Sequence, residues 1–221
     1  MWTKLCGFRS PDTAALAVSL GADAIGLNFF PASVRFVQPI AAREIVEAIG
    51  PNVLSVGLFV NARLEDLVNA STVSGVNAIQ LHGSEDPQYL SDLRAALPGL
   101  PVIKAFAVGQ NGTASVTDWL RACVGVTEPP EFILLDAHVP GEHGGTGRTA
   151  PWGLIAEERK PTWPKVILAG GLNPANVQQA IHQVQPYGVD LASGVEVERG
   201  TKDPALIEQL LSITKGETPA G

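Results

Sequence analysis

KVILAGGLNPANVQQAIHQVQPYGVDLASGVE (165–196) holds one complete repeat unit of this chain. KVILAGG (165–171) is a short apolar run ending in paired glycines, the pattern of a strand buried on both faces. NPANVQQAIHQVQPYG (173–188) then places Val177, Ala180, Ile181 and Val184 at helical spacing, between an Asn-Pro start and a closing glycine. VDLASGVE (189–196) is a second strand. Strand, helix, strand at this length is a crossover unit, and a crossover leaves its strands parallel.

The same unit recurs toward the N-terminus. Further strands are predicted at WTKLCG (2–7), DAIGLNFF (23–30), VLSVGLFV (53–60), VNAIQLHG (76–83), PVIKAFAV (101–108) and EFILLDA (131–137). Helical segments lie between them. SPDTAALAVSLG offers Ser10 as N-cap, Pro11 at the first helical position and Gly21 at the exit. NARLEDLVNASTVSG, DPQYLSDLRAALPG and DPALIEQLLSITKG share that punctuation, and PIAAREIVEAIG, SVTDWLRACVG and PWGLIAEE complete the set. Eight strands, each followed by a helical segment, make a (β/α)8 TIM barrel, an α/β fold in a single domain over 1–221. A doubly wound open sheet is the rival, but it usually has fewer strands and needs a switch point. GQNGTAS (109–115) reads as a loop, and 215–221 as a flexible tail.

Alternation within the strands supports closure. The polar residues Lys4 and Cys6, Asn28, Gln80 and His82, Lys104, Asp136 and Asp190 alternate with Leu5, Leu27, Leu81, Ile103, Leu135 and Leu191. A sheet covered outside by helices has no room for polar residues there. The polar set is therefore expected to point into the barrel, its last members reaching the C-terminal rim.

Composition narrows the partners. Hydrophobic residues make up 45% and charged residues 17% of 221, enough for a large core. A net charge of −7 argues against nucleic acid as partner, though a local nest of backbone N–H groups can still hold a small anion. No basic-then-apolar leader and no membrane-length apolar run is present, so no membrane partner is expected. The two cysteines make neither a metal spacing nor a disulfide framework, and a cytoplasmic setting follows. Monomer and homodimer both remain open.

Cys6 and Asp136 come last on the inner faces of the first and sixth strands. A thiolate favoured by nearby positive charge is a competent base, and a buried carboxylic acid can donate a proton. Two such groups, driven in opposite directions, suit acid–base isomerisation. The alternative for Cys6 is a small buried hydrophobe, and Cys123 in DWLRACVG reads only as packing. GEHGGTGRT, AGGLNP and ASGVE follow the last three strands, where barrels commonly bind phosphate. Arg35 in FFPASVRFV is either a surface charge or a carboxylate clamp, and His82 either a ligand or a hydrogen-bonded rim residue. Metal ligation would need further partners, so none is expected.

Together KLCG, GLNFFPASVRFV, GLFVN, AIQLHG, VIKAF, LLDAHVPGEHGGTGRT, ILAGGLNPANV and YGVDLASGVEVERGTKD resemble, in chain order over about residues 3–214, the phosphoribosylanthranilate isomerase family of tryptophan biosynthesis. The resemblance implies a phosphorylated small-molecule substrate, an Amadori rearrangement and no cofactor. It implies Cys6 as general base and Asp136 as general acid. Arg35 would hold the anthranilate carboxylate, with Gln80, His82, Gly144 and Gly145 in the substrate site. Gly170, Gly171, Ser193 and Gly194 would hold the phosphate. SVRFV stands where the family often has SPRYV, which predicts a looser loop around Arg35. Another phosphosugar isomerase or epimerase, or a non-catalytic phosphate-binding barrel, are the competing expectations.

Overall fold

The computed structural model describes residues 1–109, 112–136 and 151–216. Strands and helices alternate from the start: β1 Trp2–Cys6, α1 Pro11–Ser19, β2 Ala24–Asn28, α2 Pro39–Ile49, β3 Leu54–Phe59, α3 Leu64–Ser74, β4 Ala78–Leu81 and α4 Pro87–Ala96. The second half continues with β5 Val102–Ala107, α5 Ala114–Cys123, β6 Phe132–Asp136, α6 Trp152–Glu158, β7 Lys165–Ala169, α7 Val177–Val184 and β8 Gly188–Leu191. Among the described residues β1 to β8 form a closed parallel barrel in sequence order, with β8 returning to β1. The expected (β/α)8 barrel is the observed one.

Local chemistry explains the helix starts. Asp86 accepts a hydrogen bond from the Tyr89 N–H at 2.8 Å and precedes Pro87 at the head of α4. Asp203 does the same for Ala205 ahead of Pro204, opening α8 (Pro204–Lys215). Ser10 holds the N-cap position of α1, yet its hydroxyl makes no capping bond; its carbonyl accepts from Ala14.

Two apolar layers hold the barrel. Leu5, Ile25, Leu81, Ile133, Leu168 and Val189 pack outward against the helices. Ala24, Val56, Ala78, Ile103, Leu134 and Ile167 fill the interior. Each buried branched side chain contributes roughly 1.5–3 kcal/mol. Because Lys4 lies beside Asp190 in the β1–β8 register, the closing seam carries an ion pair inside the barrel.

The structure corrects the alternation in one strand. Lys104 pairs in register with Leu81 and Ile133, both outward-facing, so it points outward and Ile103 fills the interior. Faces are shared across a ladder, and the register of β5 against its neighbours decides the matter. Buried nonetheless, Lys104 donates to the Gly83 carbonyl at 2.6 Å and pairs with Glu85 at 3.1 Å. Burial pulls its ammonium below the ordinary lysine range while Glu85 opposes the shift.

The last predicted strand also divides. After β8 the chain makes a short 3-10 turn, Ser193–Val195, and then a small antiparallel ribbon of β9 Glu196–Glu198 and β10 Thr201–Lys202. Lys215 belongs to α8, its ammonium donating to the Met1 carbonyl at 3.0 Å; residues 217–221 lie outside the described residues. Among the described residues no helix is long and apolar enough to cross a membrane.

Candidate active site

Parallel strands end together, so the C-termini of β1 to β8 form one rim. Asp136 ends β6 on the face shared with Leu134, and Cys6 ends β1 on the face shared with Lys4. Both therefore face the barrel axis at the same end. A cavity of about 450 Å3 opens over the ends of β4 to β6, lined by His82, Lys104, Phe106, Trp119 and Asp136 among others. Cys6 lies outside that lining and is only 6% exposed.

His82 and Asp136 meet across the cavity wall, Nε2 to Oδ2 at 3.8 Å, with side chains 32% and 29% exposed. Gln80 lies beneath them, fully buried, its amide nitrogen 2.7 Å from His82 Nδ1. With the amide as donor, Nδ1 accepts and the ring proton sits on Nε2, facing Asp136. Gln80 thus touches His82 rather than the open cavity.

The thiol has a different setting. Cys6 pairs in register with Gly26, and a Cβ at residue 26 would lie 2.6 Å from the sulfur. Only glycine leaves the thiol that room. Lys4 Nζ pairs with Asp190 Oδ2 at 2.8 Å on the inner face of β1 that Cys6 shares, and its charge acts on the thiol. Burial pushes the thiol above its ordinary range; Lys4 and Lys202 pull it back, Asp190 adds to the rise, and burial wins. The buried Lys4 ammonium, by contrast, is held above the usual lysine range, because Asp190 and Cys6 outweigh its desolvation.

Arg35 sits on the loop after β2. The Ser33 hydroxyl accepts from the Arg35 N–H at 3.1 Å and from Asn28 Nδ2 at 3.2 Å. Asn28 Oδ1 accepts from Phe30 at 2.9 Å, so side-chain bonds tie the loop that the missing proline was expected to loosen. The Arg35 side chain crosses the end of β1 over Gly7, whose φ of +88° and lack of a Cβ both permit the approach. Its Nε and Nη2 donate to the two oxygens of Glu196 at 2.7 and 2.6 Å. Glu196 also accepts from Lys202 at 2.9 Å and from the Gly200 N–H at 3.2 Å. Burial pushes this carboxylate up, but the Arg35 and Lys202 interactions together hold it at about 2.

Gly170 and Gly171 follow β7, while Ser193 and Gly194 open the turn after β8. The two loops touch, since a side chain at Gly194 would strike the Leu172 carbonyl. Gly144 and Gly145 lie outside the described residues.

Glu196, Lys202 and the Lys4–Asp190 pair were not assigned a site role from sequence. Lys4 and Asp190 left a signal, as charged residues on apolar strands. Glu196 and Lys202 had only the ordinary composition of a polar loop, and nothing short of the fold sets them beside Arg35.

A closed (β/α)8 barrel with ionisable groups gathered at its C-terminal rim defines a barrel of the enzyme class. The family model for "N-(5'phosphoribosyl)anthranilate (PRA) isomerase" matches residues 3–212. An N-(5'-phosphoribosyl)anthranilate isomerase of Desulforudis audaxviator is 45% identical over 212 residues, covering 96% of this chain and 97% of its own. The crystal structure of phosphoribosyl anthranilate isomerase from Thermotoga maritima superposes with a TM-score of 0.84 at 36% identity, covering 98% of this chain and 99% of that one. A related structure in complex with reduced 1-(o-carboxyphenylamino)-1-deoxyribulose 5-phosphate gives 0.81 at 33% identity, with coverages of 98% and 99%. The chain belongs to the phosphoribosylanthranilate isomerase family.

Proposed function

We propose that the chain converts N-(5-phosphoribosyl)anthranilate to 1-(2-carboxyphenylamino)-1-deoxyribulose 5-phosphate in tryptophan biosynthesis, by acid–base catalysis without metal or organic cofactor. Asp136, protonated, donates to the ribose ring oxygen as the C1–O bond breaks and the nitrogen lone pair forms an iminium. The Cys6 thiolate removes the C2 proton, and the resulting enolamine tautomerises to the ketose. Atoms balance, as an isomerisation requires, and the two groups share the proton traffic.

Support comes from one observation above the rest: Cys6 and Asp136 end two strands on the inner side of the same rim. Two ammonium groups beside the thiol lower the cost of the thiolate. Arg35 keeps its Nη1 edge for the anthranilate carboxylate, because Glu196 occupies only Nε and Nη2. His82, facing Asp136, orients the acid and contacts the opened sugar, with Gln80 steadying its ring. Gly170, Gly171, Ser193 and Gly194 offer backbone to the phosphate, and the family resemblance adds Gly144 and Gly145 to the substrate-binding set.

The test is direct. Freshly prepared phosphoribosylanthranilate is mixed with purified protein and its fluorescence followed. Decay far above the spontaneous rate, with the ketose as product, is expected; decay at the spontaneous rate overturns the assignment.

A further inference from the structure

Lys4 is fully buried, and no proton of the proposed reaction passes through it. It stands two residues before Cys6 on the inner face of β1, and the β1–β8 register sets it beside Asp190. Its ammonium donates to Asp190 Oδ2 at 2.8 Å, and Cys6 follows it on the same inner face toward the rim, within reach of its charge. Asp190 Oδ1 is buried and, among the described residues, without a hydrogen bond. The carboxylate therefore depends on this ammonium to offset its desolvation.

We propose that Lys4 and Asp190 are positioning residues for Cys6, the ammonium being shared between a carboxylate that anchors it and a thiolate that it stabilises. Asp190 holds the cation inside the barrel and at the same time limits how much of its charge the sulfur receives. Gly26 on the other flank of β1 keeps the sulfur against that cation, since a Cβ there would displace it. Charged groups from the remaining neighbours also face the thiol. Lys202 of β10 is already bonded to Glu196 and the Ala192 carbonyl, and Arg35 is bonded to Glu196. Their charge is largely committed to a carboxylate in the same shell. Lys4 is the cation that can shift toward sulfur when the proton leaves, because its Asp190 partner is its neighbour in the β1–β8 register and Cys6 shares its face of β1.

The role rests on Cys6 acting as base, yet its test needs no substrate. In a Cys123→Ser background Cys6 is the sole cysteine, and a 13C label on its Cβ reports thiol ionisation by NMR as pH is raised. Lys4→Met is expected to move the midpoint up, and Asp190→Asn to move it down, each by about one pH unit or more. Lys104→Met, equally buried but paired with Glu85, is expected to leave it unmoved. Should Lys4→Met fail to fold with Asp190 stranded, Asp190→Asn decides alone, and the double variant is expected to titrate above it. The alkaline rise of kcat/KM should follow the NMR midpoint in Asp190→Asn. Shifts in the same direction for both variants, or no downward shift in Asp190→Asn, would overturn the proposal. Absence of isomerase activity with the opposed shifts intact would instead sink only the functional assignment.

Discussion

Arg35 and Glu196, 161 positions apart, are joined by two parallel hydrogen bonds of 2.7 and 2.6 Å. The pair connects the loop after β2 to the ribbon after β8, across the end of β1 where Cys6 lies. Its Glu196 side chain is 2% exposed and its Arg35 side chain 18%. A planar fork held on one edge cannot swing, so the free edge of Arg35 presents a fixed donor to the mouth.

Arg35→Ala is expected to raise KM by about 10- to 100-fold, the loss of a charge-assisted hydrogen bond of roughly 1.5–3 kcal/mol. Glu196→Gln leaves the guanidinium in place but loosens it, and should raise KM by less than Arg35→Ala while changing kcat little. Steady-state kinetics on both variants provide the check. An unchanged KM in Arg35→Ala would leave that residue a structural partner of Glu196 with no part in substrate binding.

Acid stability should carry the signature of the same pair. Glu196 is held at about 2 in the folded protein against an ordinary 4.5, so its folded value is depressed. The folded state is then favoured fully above pH 4.5, and the advantage is lost as pH falls toward 2. Denaturant unfolding of the native chain and of Glu196→Gln should therefore converge as the pH drops through that window. Curves that stay parallel would refute the linkage.

Removal of the acid or the base should strike turnover. Cys6→Ala and Asp136→Asn are each expected to lower kcat by ~10²–10⁴-fold or more while a reduced product analogue still binds. Burial raises the Cys6 thiol above its ordinary 9.0, so the thiolate fraction, and with it kcat/KM, should climb with pH on the alkaline side. A profile flat from pH 7 upward would exclude this thiol as the base.

Gly26→Ala probes the space reserved for sulfur. The added methyl would sit 2.6 Å from the Cys6 sulfur and 3.0 Å from its Cα. Overpacking of this kind costs about 1–3 kcal/mol. Thermal unfolding should report that loss, and kcat should fall with it because the thiol is displaced. A variant of native stability and rate would show that β2 yields more readily than its ladder suggests.

Much of the barrel was legible because its signals are short-range. The Asp-Pro starts of α4 and α8, the glycine exits and the apolar strand runs each lie within a few residues. Lys104 was misread because its own strand alternates correctly in either phase, and only pairing with Leu81 and Ile133 selects one. The run ending in Glu196 was read as a single strand because its turn residues, Ser193 and Gly194, also suit a strand's end. Ser33 held a loop whose missing proline had suggested slack.

By itself the sequence determined the kind and order of the elements, hence a parallel barrel with Cys6 and Asp136 at strand ends, since helical and strand periods are written in neighbouring residues. Only the tertiary structure decided which charges meet. Lys4 and Asp190 are 186 positions apart, and Arg35 and Glu196 161. Such contacts depend on strand register and on closure of the ring, which no local pattern encodes.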